Sequence, residues 1–365
     1  VPPVPGRIAH ARAALDHRQL RGALRLQPAR ARRVHLAAGL QAGLGALLAL
    51  GLTHLSPWPT LAGFAALGAM TTLYGRFDPL RARLRVLGVV GLLMVGAIAV
   101  TSVAVLCSSG LAVPLVVPLV VVGIVAGAST AVMVYLGIGA PGATIVVFGA
   151  GASLGPVGSL ADVGQRTLAG ISGALLAVVL VVVTDRLRPR VLVPPAPPGA
   201  PLPDVPDGRA IVATGVRVLV GATAAGLVAF AAGAQHAAWA AIGAAAVLQG
   251  THLQLHVDRA LQRALGTAGG ALVAAGLLSL GLDFWPTVVV VAVLQVVTEV
   301  TIGRSYALGQ LTVTPMALLV SELAAPSGGA GLPLERVADT LLGVVLGILA
   351  TVILSTRAQR AQHHP

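Results

Sequence analysis

Twelve apolar stretches follow one another along this chain with only short gaps between them, and that pattern limits the fold more than any other feature. They run at roughly 34–54, 57–75, 86–108, 111–135, 140–157, 166–184, 211–233, 235–252, 263–281, 284–301, 305–322 and 337–356. A helix of about 20 apolar residues is long enough to cross the hydrocarbon core of a bilayer. Only 10% of the 365 residues are charged, whereas a soluble chain carries about 25%. That is too little charge to clothe a surface in water, so a cytosolic enzyme is excluded. Aromatic residues make up 3% and glycine 45 positions, a composition suited to helices that pack closely in lipid. The sequence predicts an all-α integral membrane protein of about 12 transmembrane helices.

The gaps leave room for hairpins and no inserted soluble domain. The one different segment is 189–206, with eight prolines including Pro194, Pro195, Pro197 and Pro198. Such a stretch is a semi-rigid spacer that builds no packed core. The expected organisation is a basic cytoplasmic arm over 1–33, a first six-helix repeat over 34–184 and a Pro-rich cytoplasmic linker over 185–208. A second six-helix repeat over 209–356 and a cytoplasmic tail over 357–365 complete it. The arm lacks the apolar run of a secretory signal.

Orientation follows from the arginines, since all 24 basic residues are Arg. With the N-terminus cytoplasmic, every Arg except Arg166, Arg217 and Arg336 falls on the cytoplasmic side, as the positive-inside rule requires. The outer loops then hold Asp162, Asp283, Glu322, Glu335 and Asp339. The expectation is a multi-pass protein of the inner (plasma) membrane with both termini cytoplasmic.

The two halves resemble each other. Arg85–Gly91 and Arg263–Gly269 share R-x-L-G-x-x-G at an offset of 178, His54–Trp58 parallels His236–Trp239, and Gly173–Leu180 parallels Gly347–Leu354. Six spans per half give both halves the same orientation, a parallel repeat about an axis along the membrane normal.

In the second half the residues also resemble a known family. The carrying features are His236-x-x-Trp239, the Leu248–Gln249 that ends the next stretch, R-x-L-G-T-x-x-G from Arg263, and Tyr306–Ala307 followed by Thr314–Pro315. Together they are similar to the fusaric-acid-resistance (FUSC) family and its aromatic acid exporter relatives, over about 209–350 well and 34–184 weakly. The resemblance implies a membrane transporter, not an enzyme, that exports small organic acids, aromatic ones among them. Plant aluminium-activated malate transporters look distantly similar and act as anion channels. Many family members carry a sizeable cytosolic domain where this chain has its Pro-rich spacer. A passive anion channel and a non-transporting scaffold in an envelope pathway stand as alternatives to a secondary exporter.

Ionisable residues inside spans are costly and usually functional. Arg217 lies in the first turns of the seventh stretch, and Glu299 and Arg304 near the cytoplasmic end of the tenth. They read as a cationic patch for a carboxylate with Glu299 balancing it or relaying protons. They read equally as a snorkelling Arg217 and a Glu299–Arg ion pair. The fifth stretch of each half is interrupted by Gly and Pro, at Gly137–Pro156 and Gly303–Leu319. Paired interruptions point to a transport site, and close helix packing is the alternative. Tyr306, Gln310, Thr312 and Thr314 could hydrogen-bond a substrate or cross-link helices.

Other constellations carry less. His54 and His236 sit beside Trp58 and Trp239, which fits interfacial anchoring or substrate stacking. His252 and His256 lack the ligand set of a metal site, and Cys107 stands alone. The arm 7–33 mixes Ile8, Leu15, Leu20 and Leu24 with eight Arg and suits an anionic inner leaflet. No P-loop, Rossmann or nucleophile-elbow motif occurs. No metal and no cofactor are expected. The expected partners are a small organic anion and the lipid bilayer, with a homo-oligomer left open and no nucleic acid.

Overall fold

The computed structural model describes residues 22–28, 32–187, 207–249, 253–324 and 331–354. The Pro-rich spacer at 188–206, the tail at 357–365, His252 and most of the N-terminal arm lie outside the described residues.

Among the described residues the secondary structure is helical, with no strand. Each apolar stretch holds one α-helix. In the first half these are α1 (Arg32–His54), α2 (Ala62–Ala69), α3 (Leu80–Ser108), α4 (Val116–Tyr135), α5 (Thr144–Ala152) and α6 (Leu160–Thr184). In the second they are α7 (Gly208–Ala231), α8 (Ala238–Leu248), α9 (Leu253–Ser279), α10 (Phe284–Ile302), α11 (Tyr306–Ala324) and α12 (Leu332–Ile353).

Eight of these, not twelve, are long and apolar enough to cross a membrane: α1, α3, α4, α6, α7, α9, α10 and α12. The rest are the second and fifth helix of each half. With 8, 9 and 11 residues, α2, α5 and α8 rise only about 12–17 Å, roughly half a hydrocarbon core. The break in α2 has a local cause. Beyond Ala69 the Thr71 and Thr72 hydroxyls bond back to the carbonyls of Gly68 (2.9 Å) and Ala69 (3.0 Å) as the chain tightens to a 3-10 turn. In α11, of 19 residues, Gln310, Thr312, Thr314 and Glu322 interrupt the apolar run and Pro315 sits inside the helix.

Several long helices begin earlier than the apolar stretches that announced them. α9 starts at 253 rather than 263 and α12 at 332 rather than 337. Hydropathy stops at the first charge, but the backbone keeps its helical hydrogen bonds through it. For α6 the start at 160 is fixed by a capping box: Ser159 Oγ accepts from the Asp162 N–H (3.2 Å) and the Asp162 carboxylate from the Ser159 N–H (3.0 Å).

Packing follows a repeated scheme. α2 packs on α1 and α6, α6 on α3, and α5 on α3 and α4. Likewise α8 packs on α7 and α12, α12 on α9, and α11 on α9 and α10. Between the halves α1 packs on α10, α4 on α7, α5 on α8 and α2 on α11. The short helices are therefore enclosed, and α8 buries every one of its residues. The long helices keep apolar outer faces, with Leu92, Leu168, Val183 and Leu272 well exposed. That is the reverse of a soluble surface and the arrangement that lipid favours. The chain is a multi-pass membrane protein.

Candidate functional site

The expected site residues divide into a buried set and an exposed one. Arg217 is buried in α7. One turn further, Gly221 lies against Leu248 and Ala350, which places Arg217 by the C-terminal ends of α8 and α12. Glu299 is buried in α10 and ion-paired with Arg76, whose other amino group donates to the Ala140 carbonyl at 3.3 Å. Arg304 is exposed beyond the end of α10, and its carbonyl accepts from the Gln27 N–H at 2.8 Å. The described part of the arm thus docks on the second half, where Gln262 also donates to the Ala23 carbonyl.

Tyr306, Gln310 and Thr314 recur every fourth residue of α11, so they share one face. That face meets α9: a Cβ at Gly266 would touch Gln310, and one at Gly270 would touch Thr314. The Tyr306 oxygen accepts from Arg263 Nη1 at 2.8 Å, and its N–H donates to Gln262 at 3.1 Å. Thr312 points elsewhere, with its hydroxyl 2.7 Å from that of Thr298 in α10.

The sequence reading did not foresee what stands opposite. Arg263 in α9 and Arg336 in α12 are both fully buried, although each had been placed in the flank of its span. Tyr306 occupies one nitrogen of Arg263. Among the described residues its Nε and Nη2 have no hydrogen-bond partner, nor do Nε, Nη1 and Nη2 of Arg336. Arg263, Asp339 and Tyr306 lie within electrostatic reach of Arg336. The same holds of further buried oxygens on these helices: Thr267 Oγ1, Gln310 Oε1, Thr314 Oγ1, Thr340 Oγ1 and Asp339 Oδ2 are without a partner.

Register places these groups in a column. His256 of α9 sits 3.0 Å from the Thr351 hydroxyl of α12, and Ala260 clusters with Val344, so the two helices run antiparallel. Thr267 then falls within a turn of the level of Thr340, and Arg336 lies about 8–12 Å along the axis from Arg263 at 1.5 Å per residue. Buried polar atoms without partners cost about 1–3 kcal/mol each, more for charges. A column of them inside apolar helices is an expensive arrangement that a polar solute or water would relieve.

Aromatic rings frame the Arg336 end of the column. The Arg336 guanidinium lies 5.0 Å from the Trp239 ring of α8 and 5.5 Å from the Phe148 ring of α5, where the two halves meet. Trp239 also stacks on His236 at 4.4 Å between centroids, and His236 is paired with Glu335 at 2.8 Å. The sequence held one signal for this set. Arg166 and Arg336 each lie in the first two turns of the last helix of their half, and Asp339 and Thr340 follow within a turn of Arg336.

A separate cleft of about 610 Å³ opens between α1, α2, α9, α10 and α11, lined by Leu50, His54, Phe284, Leu319 and Glu322 among others. Its lining is mostly apolar and contains no arginine, so the buried column, not the cleft, is the place suited to an anion.

Residues 223–350 match the model of the fusaric acid resistance protein-like family. The match takes in the C-terminal part of α7, all of α8 to α11 and most of α12, together with the Arg263, Gln310 and Arg336 column. Among curated proteins the chain is similar to an uncharacterized membrane protein, YvaC, of Bacillus subtilis (strain 168). They are 34% identical over 148 residues, which is 38% of this chain and 24% of that protein. The chain thus spans about a quarter of the length of the curated relative it matches. No solved structure matches. His236, Trp239, Arg263, Tyr306 and Thr314, on which the sequence resemblance rests, all lie within the matched residues.

Proposed function

We propose that the chain is a secondary membrane transporter that exports small organic acids, aromatic ones among them, across the bacterial plasma membrane. The observation that carries this reading is the column of unpartnered polar atoms along α9, α11 and α12, with two arginines in it. Insertion of each arginine costs about 2.5–3.5 kcal/mol, and removing them would stabilise an inert scaffold. A protein that moves anions needs them. The family match over the same residues points to transport rather than catalysis.

The architecture proposed with it is twelve segments in two parallel six-helix repeats, entered from a cytoplasmic N-terminus, with the C-terminus on the same side. Support comes from the matched packing pairs and from matched details. A Cβ at Gly173 would overlap the Ala65 carbonyl, and one at Gly343 the Ala240 carbonyl. Arg83 donates to the Tyr74 carbonyl past the end of α2, as Arg259 does to the Gln249 carbonyl past the end of α8. The short-helix carbonyls and the arginines run at offsets of 175–176 and the two glycines at 170, against the motif offset of 178, so the helices of the two halves correspond in packing rather than residue by residue. Arg217, Arg304, Tyr306, Gln310, Thr312 and Thr314 remain the proposed substrate contacts, with Glu299 as an ion pair or proton relay.

The deciding experiment is a comparison of exported metabolites from cells with and without the gene. Accumulation of organic acids outside the expressing cells alone supports the reading. Identical exported pools sink it.

A further inference from the structure

We infer that Arg336 and Arg263 are two successive carboxylate-binding stations, an outer one walled by Trp239 and Phe148 and an inner one backed by Tyr306. This assignment rests on the organic-acid reading above and locates its binding residues.

Guanidinium geometry carries the outer station. The Arg336 guanidinium carbon lies over the faces of the two rings, a cation–π arrangement that offers its N–H groups no oxygen acceptor. All three nitrogens are buried and unpartnered. An edge of that kind matches a planar acceptor with two oxygens, bound by two parallel hydrogen bonds. Arg166 of the first half shows what a satisfied arginine looks like at a comparable place. It lies 5.3 Å from the Phe64 ring and donates to the carbonyls of Ser153 (3.2 Å), Gly155 (3.1 Å) and Pro156 (2.6 Å). The backbone fills that fork, whereas the fork of Arg336 is open.

Arg263 supplies the inner station. Tyr306 holds Nη1 and fixes the side chain, which leaves the Nε–Nη2 edge free for a second two-oxygen grip. Thr267 and Thr340 lie between the two levels with unpartnered hydroxyls, so an anion passing from one fork to the other meets groups that can donate to it. Asp339, within electrostatic reach of Arg336, lowers the net charge of the column from two to one and so weakens the hold on an anion.

The test uses the full chain, purified in nanodiscs, with sodium benzoate and sodium succinate as probes in calorimetric titration and sodium chloride as the control. Carboxylate binding should weaken about tenfold or more in Arg336→Gln and in Arg263→Gln, the loss of charge-assisted hydrogen bonds. Arg336→Lys, which keeps the charge and loses the fork, should weaken it too. The melting temperature of Arg336→Met should equal or exceed that of the parent, because the variant removes an unpartnered buried charge. A purely structural arginine would lower it. Wild-type affinity in folded Arg336→Gln and Arg263→Gln, or no carboxylate binding by the parent chain, overturns the assignment. Binding without cellular efflux would sink the exporter reading and leave the stations standing. Efflux that persists in both glutamine variants would do the opposite.

Discussion

Arg76 and Glu299 form a buried ion pair between residues 223 positions apart, one just past α2 in the first half and the other in α10 of the second. Breaking a buried pair by removing one partner leaves the other charge uncompensated, at about 3–5 kcal/mol. Glu299→Gln is therefore expected to lower thermal stability in detergent, and Arg76→Gln to do the same. The double variant should be less damaged than the sum of the two, as read by a double-mutant cycle of melting curves. A strictly additive double variant would show that the pair contributes nothing.

Glycine substitutions should separate close packing from helix propensity. In α6 and α12 a Cβ at Gly173 or Gly343 would collide with a carbonyl of the neighbouring short helix. Gly173→Val and Gly343→Val should each destabilise by at least about 1–3 kcal/mol, the usual cost of overpacking. Gly164 and Gly276 meet nothing within 4 Å, so alanine there should be neutral or stabilise by about 0.5–1 kcal/mol. Equal effects at all four sites in a chemical denaturation series would refute the matched contacts.

Much of the fold was legible because each helix bears its own apolar run. The site was legible only in part. Tyr306, Gln310 and Thr314 stand out as polar residues inside an apolar stretch. Arg263 and Arg336 do not, because a hydropathy boundary falls at a charge, which leaves Arg263 at the edge of its apolar stretch and Arg336 just outside its own. Their burial depends on α9 starting ten residues earlier and α12 five, which a window average hides. The Arg76–Glu299 pair depends on how the halves dock, and no local pattern encodes it. The short length of α2, α5 and α8 was hidden for a related reason: Gly, Pro and the back-bonding threonines around them are apolar enough to extend a hydropathy stretch but not a helix.

Topology can be tested at two exposed loop glycines. Cys107 is the single cysteine of the chain and is exposed, so Cys107→Ser provides a blank background. Gly110 follows α3 and Gly139 follows α4, and neither has a heavy atom within 4 Å of an added Cβ. With a cytoplasmic N-terminus, Gly110→Cys should react with an impermeant maleimide in intact cells, and Gly139→Cys only after lysis. The opposite pattern would invert the proposed orientation.

The last prediction concerns driving force and Arg217. A monovalent anion leaving a negative-inside cell gains about 2.3 kcal/mol per 100 mV. At about 150 mV that is roughly 3.5 kcal/mol, or some 300-fold in gradient. Export of an anion therefore needs no coupled proton, and Glu299, already ion-paired with Arg76, need not carry one. What export needs is a cation that lowers the cost of bringing a carboxylate out of water. Arg217 is buried by the C-terminal ends of α8 and α12, which in the proposed orientation is the side from which a cytoplasmic acid enters. Arg stays charged there and can hold a carboxylate with two hydrogen bonds. With expression held equal, Arg217→Gln should abolish efflux of acidic substrates from loaded cells, while Glu299→Gln lowers it less and in proportion to its loss of folded protein. Wild-type efflux from Arg217→Gln, with full loss from a folded Glu299→Gln, would instead assign the coupling to the glutamate.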